Sequence, residues 1–317
     1  MWNTKCLNRA KNLSKKMSDQ DENSTISSPI EEISLSYEGE FPLICAEFND
    51  AYSFRNLIEY LNLTNDDGNF VFTPKEIYYS RENDSRQVLN ELVIRTHELT
   101  RYEYNATEDK VIRGVNLVQF KGSTKKIGKK DIARIEIYDS GICVKIIGSP
   151  KNYSGDDMDI IRTQRLNHQF YTIEGYQEED EPNFTESIQK FTGACTDQAS
   201  CRDDFVTVVG LERGVIFEAR QGGNLRASIK CLGQVDESAG RSHEKTSKGQ
   251  GKIRIIVKNK NEIVRHRIPR RIIAALGKLT NICPNGTVKV YIQPDLPIKL
   301  VFHVSTYGKL TIYLRQQ

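Results

Sequence analysis

From residue 41 onward one arrangement recurs four times: an amphipathic helix followed by two strand-like runs around a turn. LICAEFND (43–50) alternates like a strand, and AYSFRNLIEYLNL (51–63) sets Phe54, Leu57, Ile58 and Leu61 at i, i+3, i+4 and i+7. That spacing gathers apolar side chains on one face of an α-helix. NFVFTPKEIYYS (69–80) then reads as strand, turn and strand. RGVNLVQFKGSTKKIG (113–128) is the second helix, with Leu117, Phe120, Thr124 and Ile127 inward, followed by alternating runs around Asp139–Gly141. SIQKFTGACTDQAS (187–200) buries Ile188, Phe191 and Cys195 and precedes FVTVVGLERGVIFEAR. IPRRIIAALGKLT (268–280) groups Ile272, Ile273, Leu276 and Leu279 before two final strand regions, GTVKVYIQPDLPIKLVFHV and KLTIYL. The repeat is one of topology, not of letters. Hairpin-joined strands favour an α+β fold with antiparallel sheets over a parallel doubly wound one.

The 317 residues suffice for two domains. EGYQEEDEP (174–182) holds five acids and no base, and it divides the four units into two pairs. We read 173–183 as an interdomain connector, 41–172 and 184–317 as the two domains, and the polar stretch 1–40 as a disordered tail. Lys5, Arg9, Lys11, Lys15 and Lys16 in that tail fit either a nuclear import signal or a solvated segment. KNYSGDDMD (151–159) and 233–251 read as loops. Seven cysteines with no C-x-x-C pair, most of them inside apolar runs such as GICVKII, read as free thiols of a reducing compartment. No apolar run approaches the roughly 18 residues of a membrane span, and we expect an intracellular protein without membrane attachment.

The net charge is only +3, yet the charges are segregated. Residues 113–130 carry Arg113, Lys121, Lys125, Lys126, Lys129 and Lys130 without an acid, and 252–278 carry nine Lys or Arg against Glu262 alone. Segregated charge creates a local field able to hold a polyanion. The outward faces of the helices sharpen this. Arg55, Asn56, Glu59 and Asn62 face away on the first helix. Lys121 and Lys125 stand one turn apart on the second, with Lys126 beside them. The third offers mainly Lys190. On the fourth, Arg271, Ala274, Ala275 and Lys278 form a small, positive stripe with Arg270 near. Ordinary solvated helix faces mix Lys with Glu. Unpaired like charges suit phosphates, whose contacts give sequence-independent, salt-sensitive affinity. These faces carry no aromatic platform for stacking bases, which argues against a single-strand binder.

Reaction centres are not legible. The chain has no G-x-x-x-x-G-K-[ST], G-x-G-x-x-G or H-E-x-x-H. His97, His168, His243, His266 and His303 are scattered, and Cys195 and Cys201, six apart, would not share a helix face. The acidic runs EEDE and GDDMD read as solvated loops in preference to a Mg²⁺ site. No enzyme activity, cofactor or metal is expected.

Three stretches carry a resemblance. RGVNLVQFKGSTKKIGKKDIARIEIYDSGICVKI, CTDQASCRDDFVTVVGLERGVIFEARQGGNL and DLPIKLVFHVSTYGKLTIYL are similar, in this order and spacing, to the second helix and hairpin, the third helix and hairpin, and the closing strands of the eukaryotic-type DNA sliding clamps. The likeness to this family, that of proliferating cell nuclear antigen, covers roughly residues 41–315. It implies a two-domain clamp fold that closes head to tail into a homotrimeric ring, with helices lining a central channel and antiparallel sheets outside. It implies that Arg55, Lys121, Lys125, Lys126, Lys190, Arg270, Arg271 and Lys278 face double-stranded DNA without reading its sequence. It places subunit contacts near Arg165–Phe170 and Leu225–Cys231, and a partner pocket with Pro297, Tyr313 and Leu314 at its rim. The implied role is a non-catalytic DNA polymerase processivity factor, partnered by a polymerase and a clamp loader, in the nucleus or a viral replication compartment. The acidic connector, the third helix with little positive charge, and Arg315 after Leu314 depart from the family pattern and fit a divergent clamp, that of a large DNA virus or of an unusual lineage. The alternatives are a checkpoint-type clamp subunit working in a heterotrimer and a metal-dependent nucleic-acid-processing enzyme.

Overall fold

A computed structural model describes residues 41–147, 158–162, 175–177, 180–220, 227–234 and 262–315. The tail 1–40, the stretch 165–170 and the loop 235–251 lie outside the described residues. The first half runs β1 (Ile44–Phe48), α1 (Ala51–Thr64), β2 (Asp67–Phe72), β3 (Glu76–Glu82), β4 (Val88–Arg95), β5 (Arg101–Tyr104), β6 (Val111–Asn116), α2 (Leu117–Thr124), β7 (Ile132–Ile137), β8 (Gly141–Ile147) and β9 (Met158–Arg162). The second half runs β10 (Phe184–Ser187), α3 (Ile188–Ala199), β11 (Phe205–Leu211), β12 (Gly214–Arg220), β13 (Ala227–Gly233), β14 (Glu262–Pro269), α4 (Arg270–Leu276), β15 (Thr287–Tyr291), β16 (Ile298–Val304) and β17 (Gly308–Leu314).

Local chemistry sets the helix starts. Asp50, Asn116 and Ser187 each accept a hydrogen bond from the backbone N–H three residues on, capping α1, α2 and α3. The second helix therefore begins at Leu117, and the Arg113–Asn116 part of the expected helix is the end of β6. Likewise Ile268 and Pro269 belong to β14, and α4 stops at Leu276, leaving Lys278 in the turn beyond it.

The strands form three sheets, ordered β5-β1-β7-β8-β9, β10-β15-β16-β17-β4-β3-β2-β6 and β13-β12-β11-β14. All pairings are antiparallel. The two halves match: β1, α1, β2, β3, β4 correspond in order to β10, α3, β11, β12, β13, and β6, α2, β7, β8, β9 to β14, α4, β15, β16, β17. The middle sheet joins them where β17 pairs with β4, from Gly308↔Ile94 to Leu314↔Val88. The counterparts of these two strands, β9 and β13, each stand at a sheet edge among the described strands.

All four helices turn their apolar faces into one core. Phe54 stacks on Phe48 of β1 with ring centroids 4.3 Å apart, and Phe120 meets Phe54 and Phe70 edge-on. Phe191 of α3 lies 6.1 Å from Phe217 and 5.9 Å from Phe302, so it packs against two different sheets. Such aromatic pairs add modestly to the area that they bury.

Candidate nucleic-acid interface

With the apolar faces turned onto the sheets, the polar faces of the helices form a layer of their own. α1 packs against α2 and α4, and α4 packs against α3. The close approach of α3 and α4 is set by Gly277, where a Cβ would stand 2.7 Å from Thr196 Oγ1. Across the two halves, Asn56 Nδ2 donates to the Asn281 carbonyl at 2.9 Å. Asn56 is thus buried and structural, not outward as its helical position implied. Ala275 is also buried, so the outward stripe of α4 is narrower than the sequence pattern gave.

The eight expected DNA-facing residues fall into three groups. Lys125, Lys126, Arg271 and Lys278 are exposed and Lys121 is half-buried. Among the described residues, Lys121, Lys125, Arg271 and Lys278 pair with no carboxylate. A second group is held by backbone carbonyls. Arg55 donates from Nη1 to Ile127 at 2.8 Å, and Arg270 donates from Nη1 to Cys201 at 3.0 Å. Both keep their charge but have part of their donor fork committed. Lys190 stands alone, with its Nζ 2.8 Å from Glu186 Oε2. Burial alone would raise the Glu186 carboxyl, but hydrogen bonds from Lys190 and from the Ser187 and Gly233 amides hold it below its ordinary value. Glu186 therefore stays ionised at neutral pH and offsets Lys190. Asp197, on the same helix, pairs with Lys230 at 2.6 Å. The unpaired cations among these eight thus sit on or just beyond α2 and α4, which both contact α1, and none of them sits on α3.

An aromatic side chain missed in the helix-face reading lies beside this patch. Tyr52, half-buried in the first turn of α1, has Arg55 Cζ and Lys129 Nζ each 5.7 Å from its ring centroid. Its position three residues before Arg55 was visible in the sequence, but the return of Lys129 to the same ring was not.

Arg271 also lines a polar cavity of about 290 Å³ between the end of α1, the β3–β4 turn and the start of α4. Asp66, Asp67, Asp84 and Arg81 line it too. Arg81 lies 3.3 Å from Asp67 and 3.5 Å from Asp84. Arg81 thus offsets both of these carboxylates. Among the described residues no cluster of three metal-ligating side chains occurs, and no helix is long and apolar enough to cross a membrane.

The expected partner-pocket residues lie elsewhere, where the connector meets the last strands. Leu314 is 2% exposed and belongs to the core, so it does not stand at a rim. Tyr313 is also buried; its hydroxyl donates to Glu91 Oε2 at 3.1 Å. Pro297 is half-buried, and its carbonyl accepts the Tyr176 hydroxyl at 2.7 Å. Tyr176, from the connector, lies 6.3 Å from the rings of both Tyr291 and Tyr313, with Lys299 Nζ 4.9 Å above it. The preceding Gly175 has φ +116, and a Cβ there would meet Leu296 at 2.9 Å. Arg315, which departs from the family pattern, pairs with Glu82 and donates to the Arg86 carbonyl.

No family model matches the sequence, and no curated protein matches it significantly. Among solved structures, the crystal structure of proliferating cellular nuclear antigen from Entamoeba histolytica is similar over 87% of this chain and 100% of that one. The TM-score is 0.65 at 16% sequence identity. A middle sheet that joins the two halves, four helices in contact along the chain α2, α1, α4, α3 and this likeness agree. The chain has the α+β clamp fold of proliferating cell nuclear antigen.

Proposed function

We propose that the chain is the subunit of a sliding clamp, a homotrimeric ring of two-domain subunits (41–172 and 184–317) that encircles duplex DNA and tethers a DNA polymerase. The observation that carries the reading is the set of cations without a carboxylate partner among the described residues, Lys121, Lys125, Arg271 and Lys278, on or just beyond two helices that both contact α1. Cations fixed to a rigid layer hold phosphates without reading bases, and weak non-specific contacts suit a protein that slides. A tethered polymerase gains effective concentration at the primer end without new contacts to it.

Ring closure has support of its own. The join of β17 to β4 inside the chain can be repeated between chains by the equivalent edges β9 and β13. Such a contact is heterologous, and heterologous contacts close into rings when the rotation fits. The clamp reading carries with it a nuclear or replication-site setting and a polymerase and a loader as partners. On this reading the chain is a non-catalytic scaffold.

Light scattering on the purified protein tests the reading. The expected mass is about three times the 36.2 kDa chain. A monomer at micromolar concentration would overturn the homotrimer and move the assignment to a subunit that needs non-identical partners.

A further inference from the structure

We infer that the place where α1 begins and the loop after α2 turns back is a second nucleic-acid site, one that takes an unpaired strand leaving the duplex. The inference rests on the duplex-encircling reading above and adds to it a preference for duplex with a single-stranded extension.

The loop is built, not draped. Ile127 is buried and its carbonyl accepts the Arg55 guanidinium at 2.8 Å. Asp131, 9% exposed, accepts the Gly128 N–H at 2.7 Å and closes the turn. Lys125, Lys126, Lys129 and Lys130 are thereby presented from one short ordered segment, all exposed. Lys125, Lys129 and Lys130 have no carboxylate partner among the described residues. One of them, Lys129, lies over the half-buried ring of Tyr52 together with Arg55, each at 5.7 Å.

Charge alone would serve a duplex. The ring would not, because an intact duplex keeps its base faces stacked inside and offers a protein wall only phosphate, sugar and groove edges. An unpaired strand presents phosphates and open base faces together, and aromatic side chains within a cationic groove are how proteins hold such strands. A separation of 5.7 Å lies near the outer limit of a cation–π contact, so an incoming base can take the cations' place on the ring while they turn to its flanking phosphates.

Fluorescence anisotropy on the full chain tests this with a blunt duplex and the same duplex carrying a single-stranded extension. The extended DNA is expected to bind about five-fold tighter or more. Tyr52→Leu should bring the two affinities to within about two-fold, and Tyr52→Phe, which keeps the ring, should retain the preference. Equal wild-type affinity for the two DNAs overturns the proposal, as does a preference that survives Tyr52→Leu. A wild-type protein that binds the extended DNA but not the blunt duplex instead overturns the encircling reading and leaves the strand site standing. Thermal melting of each variant identifies a loss of binding that comes only from unfolding.

Discussion

Lys190 Nζ stands 2.8 Å from Glu186 Oε2, reaching back from the first turn of α3 to the strand before it. The contrast with Lys125, which has no carboxylate partner among the described residues, separates two lysines that the sequence makes look alike. A lysine free to meet a phosphate releases a condensed counterion, whereas one offset by its own carboxylate contributes little.

Neutralising single lysines reads out this difference. Lys125→Gln should lower the slope of log affinity against log salt by about 0.9 for the phosphate contact it loses. Lys190→Gln should leave the slope nearly unchanged. Lys125→Glu, Arg271→Glu and Lys278→Glu combined should weaken duplex binding by about ten-fold or more at low salt, with the mass by light scattering unaltered. Equal slopes for Lys125→Gln and Lys190→Gln would remove the distinction, and undiminished binding by the triple variant would remove the interface.

Gly122 in α2 and Gly193 in α3 hold equivalent places in their helices, each five residues after the first. At both, an added Cβ would meet nothing within 4 Å. Packing therefore does not require glycine at either site, and the residue carries only its entropic cost in a helix interior. Gly122→Ala and Gly193→Ala should each stabilise the protein by about 1 kcal/mol in chemical denaturation. A destabilised variant would mean that the helix backbone is constrained there by something that the chain does not itself supply.

The helices and most of the hairpins were legible because their apolar spacing is local. What was not legible is set by distant partners. β4 reads as an ordinary alternating run, VLNELVIR, and nothing nearby announces that β17, more than two hundred residues on, lies beside it. Asn56 reads as an outward polar residue until Asn281 arrives to accept its amide. Leu314 and Tyr313 follow the family's closing pattern in letters, but the connector's Tyr176 lies beside Tyr313 and the core takes Leu314. Lys190 is the exception. Its partner, Glu186, is four residues away and was visible, but it lies in β10 rather than on the helix, so a search of the helix face passed it over.

The seam between the two halves carries a titratable group of its own. Glu91 on β4 faces Thr311 on β17 and accepts the Tyr313 hydroxyl at 3.1 Å. Burial pushes its carboxyl above the ordinary 4.5, and the Tyr313 hydrogen bond with Lys299 and Lys309 only partly opposes this. A carboxyl with a raised pKa in the folded state keeps its proton there after the unfolded chain has lost it. Its contribution to stability is therefore fully present below 4.5, falls as the pH rises through the raised value, and stays lost at neutral pH. Glu91→Gln removes the charge and keeps an oxygen for the Tyr313 hydroxyl. Glu91→Gln should melt above the wild type at pH 7, and the gap should close as the pH is lowered towards 4.5. Comparing the two proteins at each pH cancels the other carboxylates, which titrate alike in both. A gap that is constant with pH would mean that folding does not shift the Glu91 carboxyl, and one that widens on acidification would mean that its cationic neighbours hold it as a stabilising anion at the seam.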